Sequence, residues 1–438
     1  MTRFLLCTWE GGGVIPPELG LAKRLVARGH QVRVLACPAV EEAARAAGCE
    51  FSPWVTAPKK HSLSPDEDVL RDWEFKSLFK LFEHALDVFV CGPAGKFAAD
   101  TLEVLRQHPA DVVLTDFIML GAQVAAEKAG LPCAVLEPNI NMRPVAGVPA
   151  FGPGLMPAKG PFGRLRDRII TAVANRMWKK GLPAFNRARE ELGLAPIGDI
   201  WEMYDRATRV FVMTSPTLDF LPPKGLAGLP TNMQYVGAVL DDPVWAGQSW
   251  TPPWPAENKD PIVLVGLSST YQDQQAAIGR VVEAVSGMKV RALVTLGPAL
   301  ASVGAEVKSP SPNVVVVPTA PHGLVLPHCA AAITHCGHGT TIRSLAAGVP
   351  LVCMPMGRDQ NDTAARVVAR GAGVRIKPTA SPAAIRKALT QVLGDGRYAA
   401  GAKALREAIA REQREIDQVA LLEALAPPKG QVAVDRAS

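Results

Sequence analysis

The sequence predicts an α/β protein made of two doubly wound lobes that face a central cleft. Short apolar runs alternate with helical patterns along most of the chain, which is typical of parallel strands joined by crossover helices. The alternation breaks once, between about residues 221 and 260, and then restarts. In addition, the chain has 438 residues, whereas single hydrophobic cores stop growing at roughly 250 to 300.

The first lobe is predicted to span residues 1–220. The apolar run RFLLCTW is followed by the helical pattern PPELGLAKRLVARGH and by a second strand, QVRVLAC. Further buried strands are expected in DVVLTDF and PCAVLEP. Residues 221–260 are rich in proline and spotted with aromatic residues, so they are predicted to be a linker.

The second lobe is predicted to span residues 261–405, and the same alternation defines it. The predicted strands are PIVLVGLSS, VRALVTLG, NVVVVPTA, AAITHC, PLVCMP and GVRIKP. Residues 406–438 are expected to form a C-terminal helix and a tail that packs back on the first lobe.

Composition limits the classes of function. The net charge of +6 comes from 47 basic and 41 acidic residues spread along the chain, so no nucleic-acid footprint is indicated. The eight cysteines form no C-x-x-C pair and are expected to be buried thiols of a reducing cytosol. No apolar stretch reaches the roughly 18 residues of a membrane span, so a cytoplasmic protein without an integral membrane segment is expected.

The stretch THCGHGTTIRSLAAGVPLVCMPMGRDQND, residues 334–362, is the most informative. A buried strand is predicted to end at His335, the glycines Gly337 and Gly339 permit a tight turn, and Thr340 leads into a helix. An anion at that helix start would meet backbone N–H groups, a hydroxyl and an imidazole. The alternative is a plain turn with a core histidine and a threonine N-cap.

A zinc site in the same turn is disfavoured. Its ligands would be His335, Cys336 and His338, and three ligands within four residues of one turn cannot all face one ion.

Residues 334–362 resemble the donor-binding signature of family 1 glycosyltransferases, the UDP-glycosyltransferase superfamily with the two-lobed GT-B fold. The chain is most similar to the bacterial members that decorate small natural products. The resemblance implies that His335 and Thr340 hold the donor diphosphate. It also implies that Asp359 and Gln360 hold the sugar hydroxyls, a role that suits a carboxylate beside an amide.

Two other segments match the family. The turn GLSST implies that Ser269 or Thr270 lies near the phosphates. The segment PTAPHGLVLPHC matches the base-binding run, with His322 where a glutamine is common. The implied co-substrate is a nucleoside-diphosphate sugar carrying UDP or dTDP, without a further cofactor, and the implied acceptor is a hydrophobic small molecule.

Two departures concern the donor nucleotide. Arg343 stands where plant-type members carry the glutamate that binds the ribose hydroxyls. The absence of that glutamate is compatible with a thymidine diphosphate, which lacks the 2′-hydroxyl. However, Arg343 is also compatible with a solvent-facing helix position. Thr319 stands where many members stack a tryptophan on the base.

A third departure concerns the catalytic base. Family members read G-H-V-x-P at the first turn, and alignment on LAKRLVARGH puts Val14 in the histidine's place. The loop residues Gly12 and Gly13 are expected to let acceptor and sugar approach the backbone. Asp116 and Glu10 are the candidate catalytic carboxylates, each with a solvated-loop or capping role as its alternative.

The resemblance implies an inverting, metal-independent transfer to a hydroxyl, with a weak preference for a phenol because its pKa is near 10. The acidic run SPDEDVL is explained as a helix start, with Ser64 as N-cap and Pro65 at the first position. A dinucleotide oxidoreductase is disfavoured because Pro16 stands where the third glycine of G-x-G-x-x-G is required. A non-catalytic partner that keeps the donor cleft remains the alternative, and an epimerase would need further acids around the sugar.

Overall fold

Two parallel sheets, one in each lobe, form the framework of the protein. A computed structural model describes residues 1–304, 307 and 311–427. The sheet orders are β3-β2-β1-β4-β5-β6-β7 and β10-β9-β8-β11-β12-β13. The predicted fold class is therefore confirmed.

The first sheet is covered by helices on both faces. Its strands are β1 (Arg3–Cys7), β2 (Gln31–Ala36), β3 (Glu50–Pro53), β4 (Val112–Asp116), β5 (Cys133–Glu137), β6 (Arg209–Val212) and β7 (Met233–Tyr235). The helices of this lobe are α1 (Ile15–Ala27), α2 (Glu41–Ala46), α3 (Leu78–Ala85), α4 (Ala94–Gln107), α5 (Leu120–Lys128), α6 (Gly160–Trp178), α7 (Leu182–Glu191) and α8 (Glu202–Arg206). The central strands β1, β4 and β5 are almost wholly buried, as their apolar runs predict.

The second lobe repeats the plan with six strands. They are β8 (Ile262–Gly266), β9 (Arg291–Thr295), β10 (Val314–Val317), β11 (Cys329–Thr334), β12 (Leu351–Cys353) and β13 (Gly373–Arg375). The helices are α9 (Gln275–Ser286), α10 (Pro298–Ser302), α11 (His322–Val325), α12 (His338–Ala346), α13 (Gln360–Ala369), α14 (Pro382–Gly394), α15 (Gly396–Glu415) and α16 (Gln418–Glu423).

Both sheets reverse their strand order at one point, and these points position the site. In the first sheet β1 lies beside β4, with Cys7 opposite Thr115. In the second, β8 lies beside β11, with Gly266 opposite Thr334. Ligands of open α/β sheets bind at the carboxyl ends of such strand pairs.

The boundaries of the linker and tail differ in part from the predicted ones. β7 lies within residues 221–260 and pairs with β6, so the first sheet extends into the predicted linker. After α15 the chain turns at Asp417, and α16 packs against α1, where Arg28 lies 2.9 Å from the Asp417 carboxylate. The tail therefore returns to the first lobe, and residues 428–438 lie outside the described part.

All eight cysteines are free thiols, and seven of them are buried. Within the described residues, no helix is both long enough and apolar enough to cross a bilayer.

A buried ion pair joins the lobes. Asp219, at 0% exposure, lies 2.5 Å from the Arg366 guanidinium of α13. Its carboxylate also accepts hydrogen bonds from the Tyr235 hydroxyl and from the backbone N–H groups of Asn141 and Phe220. Because both carboxylate oxygens accept hydrogen bonds, these contacts offset the desolvation cost of burying the ion pair.

We expect Asp219→Asn to lower the free energy of unfolding by about 3 kcal/mol, because it leaves the Arg366 charge buried without its counter-ion. Urea titration measures this. The matched control is Asp205→Asn, which removes the exposed partner of Arg143 and should change stability by about 0.5 kcal/mol or less. Equal urea midpoints for Asp219→Asn and the parent would contradict the assignment.

Candidate functional site

A cavity of about 660 Å³ lies between the carboxyl edges of the two sheets. It contacts Gly12, Gly13 and Val14 of the first lobe. From the second lobe it contacts Ser269, Thr270, His322, His335, Gly337, Gly339, Thr340, Asp359 and Gln360. The structure therefore brings together all the donor-side and loop residues that the sequence singles out, and leaves the two candidate catalytic carboxylates off the cavity wall.

The turn after β11 presents His335 and the start of α12. Cys336 adopts a positive φ of 68°, and a Cβ at residue 337 would collide with the His335 ring, so a larger residue there would displace the imidazole. Burial lowers the pKa of His335 to about 4, so its imidazole is neutral near pH 7. With Thr340 in the first turn of α12, the edge offers an imidazole, a hydroxyl and a helix N-terminus.

The neighbouring histidine has a different role. His338 is buried, and its Nε2 lies 2.8 Å from the Thr214 hydroxyl of the first lobe.

Among the described residues, no group of three or more His, Cys, Asp or Glu side chains is arranged to hold a metal. The acidic run begins a short 3₁₀ helix at Pro65–Glu67, in which the Ser64 side chain makes no capping bond.

The turn after β8 lies directly beside His335. Ser268 has a positive φ of 148°, and its hydroxyl accepts a hydrogen bond from the Thr270 N–H at 3.2 Å. A Cβ at Gly12 would lie 2.6 Å from the Thr270 methyl and 2.8 Å from the Ser269 hydroxyl. The glycine loop is therefore approached by the opposite lobe at Gly12, which has a φ of 75°, while Gly13 faces open space.

The D-Q pair begins α13. Asp359 stands at the N-cap position, and its carboxylate is hydrogen-bonded by the Asn139 side chain of the first lobe. Gln360 is almost fully buried: its Oε1 accepts from the N–H groups of Met356 and Gly357, and its Nε2 donates to Gln272 at 2.9 Å. The amide is thus held rigidly, while the pKa of Asp359 is raised by burial.

Arg358 is a site residue that sequence reasoning missed. It has a positive φ of 53°, and its Nη1 donates to the Thr270 hydroxyl at 2.9 Å. Its Nε lies 2.6 Å from Asp72 Oδ2 of the first lobe. The guanidinium therefore lies at the 268–270 turn and is already paired with a carboxylate.

The end of the cavity that is expected to hold the nucleoside is lined in part by the linker. Trp245 lines the cavity, and its backbone carbonyl accepts a hydrogen bond from the Thr319 hydroxyl at 3.2 Å, so a tryptophan lies beside the residue that replaces the family's tryptophan. His322 contacts the Thr295 hydroxyl at 3.2 Å. Arg343 is not solvent-facing: its side chain is only 12% exposed and donates to the Asp241 carbonyl at 2.9 Å.

Asp116 is sealed at the end of β4, with 1% exposure. Its Oδ1 accepts from the Ile118 N–H at 2.9 Å, and its carboxyl is hydrogen-bonded to that of Glu18. Burial raises the pKa of both groups. Glu18 lies on α1, one helical turn after Val14, so the i, i+4 spacing places both residues on the same side of the helix. This spacing is the sequence signal that could have identified Glu18.

Glu10 lies in a separate small recess with Lys60, Asp68 and the 269–271 turn. Its Oε1 accepts from the Gly12 N–H at 2.8 Å, and burial raises its pKa to about 7. Glu10 therefore shapes the glycine loop.

The end of the cavity that is expected to hold the acceptor, called the acceptor end, is strongly apolar. The large side chains here are Trp9, Phe82, Phe89, Phe117, Met142, Trp178 and Trp201.

The chain is similar in sequence to known proteins. Residues 281–425 match the family model described as Erythromycin biosynthesis protein CIII-like, C-terminal domain. The chain is 28% identical to 4'-demethylrebeccamycin synthase of Lentzea aerocolonigenes, over 97% of this chain and 99% of the relative. It is 27% identical to 3-alpha-mycarosylerythronolide B desosaminyl transferase of Saccharopolyspora erythraea, over 94% and 95%.

Two solved structures share the fold. A glycosyltransferase of kitacinnamycin superposes with a TM-score of 0.73 at 22% identity, over 97% of this chain and 99% of that one. VinC, solved with DTDP, superposes with a TM-score of 0.68 at 19% identity, over the same shares. The protein is thus a glycosyltransferase with the GT-B fold. In sequence it is similar to bacterial glycosyltransferases of natural-product type.

A buried acid near the site makes stability depend on pH. Burial raises the pKa of Glu137, at the end of β5, to about 8, while its Oε1 accepts from the Met142 N–H at 2.7 Å. An acid whose pKa is higher in the folded state does not lower stability at a pH below its unfolded pKa. Above that pH it lowers the free energy of unfolding, increasingly so until the pH reaches the folded-state pKa. Glu137→Gln, which keeps the acceptor, should therefore raise the Tm at pH 8 and above. The gain should vanish near pH 4.5, and a gain independent of pH would contradict the burial argument.

Proposed function

We propose that this protein catalyses inverting, metal-independent transfer of a sugar from a nucleoside-diphosphate sugar to a hydroxyl of a hydrophobic acceptor. The observation that carries the proposal is the convergence of the 268–270 turn, His335 and the α12 N-terminus at the β8/β11 edge of the cavity. In this proposal the donor diphosphate binds between the two turns, and the acceptor occupies the aromatic end.

Stabilisation of the leaving diphosphate needs positive charge and hydrogen-bond donors fixed in place before reaction. The neutral His335 ring donates one N–H, Thr340 and the start of α12 donate others, and Arg358 supplies a permanent charge. Arg358 is paired with Asp72, so its guanidinium is oriented before the donor arrives. In this proposal these groups stabilise the leaving diphosphate in place of a bound metal ion.

The donor is proposed to carry thymidine diphosphate. Arg343 stands where a ribose-binding carboxylate is expected, and a thymidine sugar has no 2′-hydroxyl to bind. VinC was solved with DTDP and another neighbour, SpnG, with thymidine diphosphate. The Trp245 ring is the proposed stacking surface for the base.

In the proposed reaction the acceptor oxygen bonds to the anomeric carbon as the bond to the diphosphate oxygen breaks. The electron pair leaves with the diphosphate, and the acceptor proton passes to the hydrogen-bonded carboxyls of Asp116 and Glu18, which lie behind the cavity wall formed by Phe117 and Ile118. A phenolic acceptor is proposed because its proton is easier to remove than that of an aliphatic alcohol. The catalytic function is supported by the relatives, which are named as a synthase and a transferase, whereas an intact donor cleft is common to both alternatives.

Two substitutions test the donor site. Both His335→Ala and Arg358→Gln should weaken thymidine diphosphate binding about tenfold in calorimetric titration, because each removes a charge-assisted contact. The control Arg386→Gln, on α14 away from the cavity, should bind like the parent, and EDTA should change neither binding nor turnover. Parent-like binding by His335→Ala would contradict the donor-site assignment.

The base is tested at Val14 and Asp116. Asp116→Asn should reduce kcat by about 100-fold, in the range of general-base contributions, while Glu10→Gln should have a smaller effect. Val14→His should raise kcat about tenfold with an aliphatic alcohol and less with a phenol, because the phenol needs the base less.

Val14→Ala is the matched control, because it changes the side-chain volume at position 14 without adding a base. If Val14→His were no faster than Val14→Ala with an aliphatic alcohol, proton transfer would not limit that reaction. A parent-like kcat for Asp116→Asn would exclude Asp116 as the base.

A further inference from the structure

An exposed apolar surface surrounds the acceptor end of the cavity. It consists of one face of α6 and the first turn of α3, and is called the α3–α6 face. Its exposed apolar residues are Leu78, Phe79, Phe162, Leu165, Ile169 and Val173. Phe162 is 87% exposed and Leu78 is 71% exposed, and an apolar surface of this kind marks an interaction site.

The apolar residues of α6 form a stripe. Phe162, Leu165 and Ile169 recur at intervals of three and four, which places them on one side of the helix. No residue of this 19-residue helix is buried. Helix α6 therefore contributes little to the core and presents an amphipathic surface to the outside.

The charges around the stripe have one sign. Residues 159–180 contain seven basic residues and one acidic residue, a net charge of +6 that equals that of the whole chain. The single acid, Asp167, is paired with Arg166 at 2.7 Å. On α6, Arg164 and Arg168 remain exposed beside the apolar stripe.

We propose that the α3–α6 face docks on an anionic lipid bilayer. An amphipathic helix with aromatic and aliphatic residues on one side and arginines beside them is the arrangement that lies in a membrane interface. Each basic residue near an anionic surface adds about 1 kcal/mol. A second copy of the chain is disfavoured, because a two-fold interface would bring this positive surface against itself.

The face is continuous with the cavity. Leu78 and Val173 are exposed and also line the cavity. Docking would therefore place the acceptor entrance at the hydrocarbon boundary, so that a hydrophobic acceptor enters without crossing water. This consequence rests on the proposed function, whereas the docking itself does not.

Flotation with vesicles tests the docking without substrate. The parent should bind vesicles of equal parts phosphatidylglycerol and phosphatidylcholine at least about tenfold better than pure phosphatidylcholine. About 1 M NaCl, where the Debye length is about 3 Å, should release it. The double variants Phe162→Ser/Ile169→Ser and Arg164→Gln/Arg168→Gln should each lose about tenfold in vesicle binding.

The controls separate surface chemistry from folding. Leu226→Ser removes an exposed leucine elsewhere, and Lys403→Gln/Arg414→Gln removes two charges from α15; both should float like the parent. All variants should turn over a water-soluble phenol equally, which separates failure of docking from failure of the proposed reaction. Absence of vesicle binding, or a parent dimer that Phe162→Ser/Ile169→Ser converts to monomer in light scattering, would overturn the proposal.

Discussion

The buried pair of Asp219 and Arg366 is the contact on which the geometry of the cleft depends. Neither the donor turns nor the glycine loop forms a site alone, because each faces the other across the boundary between lobes. The pair lies at that boundary with 0% and 3% exposure of its residues. Asp219 also holds Tyr235 of β7 and the backbone after β5, so it fixes the carboxyl edge of the first sheet relative to α13.

The two edges differ in their electrostatics. At the first-lobe edge the titratable groups are acids whose pKa values are raised by burial, namely Glu18, Asp116 and Glu137. At the second-lobe edge the groups around His335 are donors, namely a neutral imidazole, a guanidinium and the start of a helix, and the Asp359 carboxyl lies on the same edge. Carboxylates with a raised pKa accept a proton, and fixed donors stabilise negative charge. In the proposed reaction the first lobe would take up the acceptor proton and the second lobe would stabilise the leaving diphosphate.

Strands and turns followed from local sequence, whereas contacts between distant segments did not. The apolar runs predicted the central strands, and the glycines around His335 predicted a tight turn, which lies at the cavity. Arg358 was missed because its partner Asp72 lies 286 positions away. Trp245 was missed because a proline-rich segment carries no periodic signal, and β7 because three residues are too few for a recognisable alternation.

The residue at position 14 affects which group could accept the proton of the acceptor. With Val14 at the cavity wall, the nearest ionisable group on the same side of α1 is Glu18, one turn deeper. There its carboxyl is hydrogen-bonded to that of Asp116, and burial raises the pKa of both groups. If this pair is the base, as proposed, it suits an acceptor whose oxygen gives up its proton readily. Val14 would then also select among acceptors, since an aliphatic alcohol gains more than a phenol from a base in direct contact.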